Sequence, residues 1–231
     1  MKTSLSRRAA AEFFGTLFLL CAVVGSGIMG DHLSSGNIAI ALLANSIATG
    51  AALVALILAL GPISGAHFNP VVSLANAWRG GMVWRDIPVY TAAQVTGAIV
   101  GVGVANLMFG HALFIASTHV RSGLAQLLSE FIATFGLLAV IWGCGKPHPA
   151  AVPYAVGCYI AAAYWFTSST SFANPAVTLA RMLTDTCSGI RPVDMPGFVV
   201  AQLAGAAAAT AFFCWLDAPC VSADEKPPLA M

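Results

Sequence analysis

Six long apolar stretches run through this chain, at residues 9–29, 38–60, 87–109, 124–144, 150–168 and 195–216. Each has about the 20 residues that a helix needs to cross a bilayer core, so the pattern predicts six membrane-spanning helices. Two shorter apolar segments interrupt the series, one between the second and third stretches and one between the fifth and sixth. The first reads Ala66-His67-Phe68-Asn69-Pro70-Val71-Val72-Ser73-Leu74-Ala75. The second, 105 residues later, reads Ser171-Phe172-Ala173-Asn174-Pro175-Ala176-Val177-Thr178-Leu179-Ala180. Proline suits the first helical position and Asn before it is a preferred cap. Both Asn-Pro pairs therefore predict short helices that begin inside the membrane. Irregular backbone survives at that depth only where protein encloses it or where it lines a cavity.

The duplication extends beyond these segments. Ala11-Glu12-Phe13-Phe14-Gly15-Thr16 matches Ser129-Glu130-Phe131-Ile132-Ala133-Thr134, and Ala93-Gln94-Val95-Thr96-Gly97-Ala98 matches Ala201-Gln202-Leu203-Ala204-Gly205-Ala206. Residues 9–109 and 124–216 thus form two repeats of three spans within a single domain covering 1–231. An odd number of spans per repeat inverts the second half and brings the two half-helices tip to tip near the midplane.

Composition agrees. Apolar residues make up 58% of the chain and charged residues 8%, against roughly 25% charged in soluble domains, and the mean hydropathy is +0.84. A net charge of +1 offers no footprint for nucleic acid. The six cysteines form no CxxC pair, so they imply no metal, cofactor or redox framework; Cys187, just after the second half-helix, is the one to watch. Lys2, Arg7 and Arg8 precede an apolar run too long for a usual signal core, which reads as a retained first span. The tail at 222–231 reads as disordered. Placing both termini in the cytoplasm puts Lys2, Arg7, Arg8, Arg79, Arg85, Lys146 and Lys226 inside and Arg121, Arg181 and Arg191 outside, as the positive-inside rule favours.

The inverted repeat, the paired glutamates and the two Asn-Pro half-helices together resemble the aquaporin, or major intrinsic protein, family over about residues 9–216. That resemblance implies an all-α hourglass channel in each protomer, a homotetramer in membrane lipid and passive flow of small neutral solutes. The first motif is Asn69-Pro70-Val71 where the family usually has Asn-Pro-Ala. The family also usually carries Arg three residues after the second Asn; here that residue is Val177. The run from Tyr164 to Thr178 resembles the bacterial aquaglyceroporin branch associated with arsenic resistance, and so an inner-membrane channel.

Asn69 and Asn174, with Pro70, Val71, Pro175 and Ala176, are expected at the pore centre. There the side-chain amides donate to a passing oxygen. Carbonyls of Gly65, Ala66, His67, Ser171, Phe172 and Ala173 are candidate acceptors along the pore. Two converging helix N-termini repel cations and protons. By alignment the outer constriction takes Thr49, Ser171, Val177 and either Tyr164 or Ala162, according to whether the register is anchored on Gly157 or counted back from Asn174; Tyr164 is favoured. Valine in place of arginine removes five donors and a fixed charge. Arg181, one turn further on, is read as that charge moved into the outer vestibule, as a snorkelling outer-leaflet arginine, or as one paired with Asp185 at i+4.

Glu12 and Glu130 read as acceptors that brace the two irregular loops, with a proton relay as the alternative. His67 reads as a loop-bracing side chain rather than a pore contact or pH sensor. Gly97-x-x-x-Gly101 and Gly205-x-x-x-Ala209 are seams for close helix crossing. The leading expectation is a channel for trivalent arsenite, glycerol or water. A strict water channel with an unusual filter and a proton-coupled secondary transporter are the alternatives. No HExxH or GxSxG motif points to an enzyme.

Overall fold

The computed structural model describes residues 3–217, and every regular element among them is helical. The expected polar tail at 222–231, and Lys2 and Lys226 of the orientation argument, lie outside the described residues. Six long helices, α1 (Leu5–Leu33), α2 (Ile38–Ser64), α4 (Ile87–Met108), α5 (Leu124–Gly145), α6 (Val152–Phe166) and α8 (Met195–Leu216), cover the six apolar stretches. Two short ones, α3 (Pro70–Trp78) and α7 (Pro175–Ala180), start at the two Asn-Pro pairs.

Local chemistry sets the ends. Asn37 caps α2 by accepting the Ala39 and Ile40 N–H groups at 3.1 and 3.2 Å. The helix stops at Gly65, whose left-handed φ of 91° suits glycine and turns the chain back into the membrane. Five helices are long and apolar enough to cross a bilayer, counting α4 with the 3₁₀ turn Trp84–Asp86 before it. Helix α6 is the exception. Its 15 residues, about 22 Å at 1.5 Å each, fall short of the predicted 150–168. It is entered through a 3₁₀ turn at Pro149–Ala151 and left at Thr167, where the chain becomes extended and the hydroxyl returns to the Ala163 carbonyl.

The two repeats are interlocked rather than side by side. Helix α1 packs on α2 and α4, helix α5 on α6 and α8, and α2 crosses α6 to join the halves. Each half-helix packs against the third span of both repeats, α3 and α7 each touching α4 and α8, and the two half-helices meet each other. Glycine permits the closest crossings. A Cβ on Gly97 would lie 2.3 Å from the Phe13 carbonyl oxygen, and one on Gly205 would lie 2.4 Å from that of Phe131. Gly50 and Gly157 face one another across α2 and α6 in the same manner, at 2.7 and 2.6 Å from each other's carbonyl oxygens. Large apolar side chains such as Phe14, Ile47, Leu128 and Val200 point outward, as a lipid-facing surface requires.

Candidate functional site

A cavity of about 340 Å³ runs along the interface of the two halves, from Val152, Trp142 and Asn76 at one end to Arg181 at the other. Both half-helix tips open onto it. Asn69 and Asn174, 4% and 5% exposed, line it and are bonded in the same way. Each side-chain oxygen caps its own half-helix. Asn69 Oδ1 accepts from Val71 N at 3.1 Å, and Asn174 Oδ1 accepts from Ala176 N at 2.9 Å. Each amide nitrogen donates across the pseudo-twofold, Asn69 Nδ2 to the Ala173 carbonyl and Asn174 Nδ2 to the Phe68 carbonyl, both at 2.7 Å. A carboxamide nitrogen has two hydrogens, so each keeps one donor for the lumen. The partial positive charge at the two helix N-termini is thereby directed to one point.

The loops leading to these caps place left-handed residues on both sides of an ordinary one. Ala66 and Phe68 (φ 50° and 48°) flank His67, and Ser171 and Ala173 (φ 52° and 48°) flank Phe172. Such angles cost non-glycine residues roughly 1–3 kcal/mol each and persist only where surroundings enforce them. The enforcers are Glu12 and Glu130, both fully buried. Glu12 accepts from Ser64 Oγ (2.7 Å), His67 N (3.0 Å), Phe68 N (2.7 Å) and Gln94 Nε2 (2.8 Å). Glu130 accepts from Phe172 N (2.9 Å), Ala173 N (2.9 Å) and Gln202 Nε2 (2.6 Å). Each glutamine also donates to the hydroxyl of its half-helix, Gln94 to Ser73 and Gln202 to Thr178, and each hydroxyl donates to the carbonyl of its Asn. Neither carboxylate lines the cavity and each is filled by donors, an arrangement unsuited to a proton relay.

With the loop amides turned to glutamate, no protein donor among the described residues reaches the carbonyls of Gly65, Ala66, His67, Ser171 or Phe172. All five residues line the cavity. The Ala173 carbonyl differs, since Asn69 already occupies one of its lone pairs. The His67 ring is tied on both sides. Asn76 Nδ2 donates to Nε2 (3.2 Å), which leaves Nδ1 to donate to Ser73 Oγ (3.0 Å), so the neutral tautomer fits the network. His67 both braces the loop and lines the cavity.

At the Arg181 end of the cavity Thr49, Tyr164, Ser171 and Val177 converge on the lumen, with Thr49 Oγ1 and the Tyr164 hydroxyl 3.2 Å apart. Ala162 is exposed on the opposite face of α6 and does not line the cavity. The sequence places Pro70, Pro175, Val71 and Ala176 at the pore centre. In the structure none of them lines the cavity; Val71 and Ala176 are buried in the core, and Val72 is the α3 valine that reaches the lumen. The physical reason is periodicity, because the residue after an N1 proline turns toward the neighbouring helices. Asp185 does not pair with Arg181 but accepts the Thr118 N–H and hydroxyl, which hold its carboxyl below the ordinary carboxylate range.

Sequence reasoning gave no role to Gln94, Gln202, Ser73 and Thr178, although all four sit at matching places in the repeat. It counted Arg121 only as an outside charge. Arg121 is buried and donates to the carbonyls of Gly189 (2.8 Å), Ser169 (3.0 Å) and Cys187 (3.0 Å), tying together the loops around α7. Trp142 and Asn76 at the other end of the lumen were also missed.

Known proteins match this arrangement. A family profile described as Major intrinsic protein matches residues 1–167. The chain is 57% identical to Aquaglyceroporin AqpS of Rhizobium meliloti (strain 1021), over 93% of this chain and 92% of that protein. It is 39% identical to Aquaporin NIP1-1 of Oryza sativa subsp. japonica, over 62% of this chain and 50% of that protein. Among solved structures it resembles the aquaglyceroporin from Plasmodium falciparum, with a TM-score of 0.71, 24% identity and coverage of 92% of this chain and 95% of that one; that likeness speaks for the fold. With its interlocked repeats, half-helices and the cavity between its halves, the chain belongs to the major intrinsic protein family of passive membrane channels.

Proposed function

We propose that this channel carries compact neutral hydroxylated solutes, trivalent arsenite and glycerol together with water. The observation that carries the reading is the outer ring, where Val177 stands beside Thr49, Tyr164 and Ser171 on the lumen wall. A valine presents no donor and fills less of the bore than a guanidinium, so a solute bulkier than water passes. Free carbonyls along both loops and the spare amide hydrogens of Asn69 and Asn174 replace the hydration of hydroxyl groups as they move. Trivalent arsenic hydroxide is neutral near pH 7 and shaped like a compact polyol, which suits this lining. The 57% identity to a protein called an aquaglyceroporin supports the same class of solute. In this reading the chain is one channel unit with repeats at 9–109 and 124–216. It works as a homotetramer in a bacterial inner membrane with both termini cytoplasmic.

The test is arsenite and glycerol uptake by proteoliposomes with no ion gradient, comparing the parent with Val177→Arg. Fast, non-saturating uptake is expected for the parent. The arginine variant should lose on the order of 10-fold or more, the effect of about 1.4 kcal/mol of added barrier, while still passing water. Parent uptake no faster than in empty vesicles, with water still conducted, would make this a strict water channel.

A further inference from the structure

Arg181 lies four residues after Val177, where α7 passes into a 3₁₀ turn (Arg181–Leu183). Side chains on a helix tilt toward its N-terminus, so a long one here reaches back into the membrane rather than out to solvent. The guanidinium carbon ends 3.5 Å from the centre of the Phe172 ring, on the loop that precedes α7. The residue is 2% exposed and lines the same cavity as Thr49, Tyr164 and Val177. Its Nε donates to the Ser188 carbonyl, and neither terminal nitrogen has a hydrogen-bond partner among the described residues. Arg121 approaches the same ring, with its guanidinium carbon 4.9 Å from the centre, but its three nitrogens are spent on carbonyls. Neither guanidinium forms an ion pair among the described residues, since Asp185 is held by Thr118 and Glu130 by the Phe172 and Ala173 N–H groups. One arginine is fully committed to structure; the other keeps its terminal donors and its unneutralised charge for the lumen.

We propose that Arg181 supplies the fixed positive charge that excludes cations from this pore, so that charge and width are set by different residues, Arg181 and Val177. The inference rests on the channel reading above and adds a division of labour to it. The aromatic face of Phe172 holds the guanidinium in place, and the low-dielectric wall lets its charge act across the bore. The bore stays wide at Val177 without becoming a cation leak. A neutral hydroxide passes this charge at little cost, while a cation meets a charge it cannot neutralise.

Glycerol uptake and Na⁺ flux measured side by side in proteoliposomes test this. The parent should carry glycerol and exclude Na⁺. Arg181→Gln should keep glycerol uptake and raise Na⁺ flux on the order of 100-fold, the ratio expected for one charge about 6 Å away at an effective dielectric of about 20. Arg181→Lys should remain closed to Na⁺. A second variant leaves Arg181 in place: Val177→Glu puts a carboxylate one turn before it and should open the same leak by neutralising it. Na⁺ flux unchanged in both variants, with glycerol uptake intact in Arg181→Gln, would overturn this inference alone. So would a parent that passes Na⁺. A parent that carries no glycerol would overturn the channel reading as well.

Discussion

Replacing Glu130 by alanine is expected to abolish solute flux and to destabilise the folded channel by about 5 kcal/mol, the sum of leaving three buried donors unpaired at 1–3 kcal/mol each. The donors are Phe172 N, Ala173 N and Gln202 Nε2. Their loss has a second effect. Ser171 and Ala173 hold left-handed backbone angles, and without the carboxylate nothing offsets that strain. The loop relaxes, its free carbonyls leave the lumen and the Asn69–Ala173 contact across the pseudo-twofold is lost. Glu130→Gln keeps one acceptor oxygen and should lose about 2 kcal/mol with partial flux. Glu12→Ala should act alike in the other half, since it strands His67 N, Phe68 N, Ser64 and Gln94. Melting of the detergent-solubilised protein and glycerol uptake in vesicles read the two effects separately. Full flux in Glu130→Ala would show that the loop holds its shape without the brace.

Gly97→Ala and Gly205→Ala form the second large prediction. The added methyl would overlap a backbone carbonyl oxygen, of Phe13 in one case and Phe131 in the other. No side chain can swing aside there, so α4 must move off α1, or α8 off α5. Each substitution should cost about 3 kcal/mol, the upper range for overpacking a tight core. The cost should be similar in the two halves because the geometry is. Gly143→Ala is the control. Its Cβ would have no neighbour nearer than 3.9 Å, so it should be neutral or stabilise α5 by up to about 1 kcal/mol through helix propensity. Thermal midpoints of the three variants in one detergent decide it. Equal midpoints for Gly97→Ala and Gly143→Ala would mean that the α1–α4 crossing is looser than its contacts imply.

The spans and half-helices could be read from the chain because each depends on local chemistry. A bilayer requires every spanning backbone group to be satisfied within its own helix, so apolar runs of the right length become helices whatever surrounds them. Asn69-Pro70 and Asn174-Pro175 carry their own start signal, a side-chain oxygen for the first free N–H and a proline that needs no partner. The inverted arrangement follows from counting three spans per repeat. Helix α6 was read too long because its end is set by Thr167 turning the chain inward, a tertiary event in an apolar run that continues past it.

Other features were settled only by the tertiary structure. Counting back from Asn174 crosses the irregular loop at 167–173, where helical periodicity carries no information, and so Ala162 and Tyr164 could not be separated in sequence. The fold turns Tyr164 to the lumen beside Thr49 and leaves Ala162 facing outward. Gln94, Gln202, Ser73 and Thr178 gain their roles from helices remote in sequence that meet at a buried carboxylate. Arg181 shows the same limit most clearly. Its spacing from Val177 is legible, but where its charge acts depends on Phe172, Ser188 and Arg121 meeting around it. Sequence determined the helices and the point at which two of them begin, because those are satisfied by neighbours along the chain. The structure alone decided which side chains share the lumen, because hydrogen bonds and charges act through distances in space.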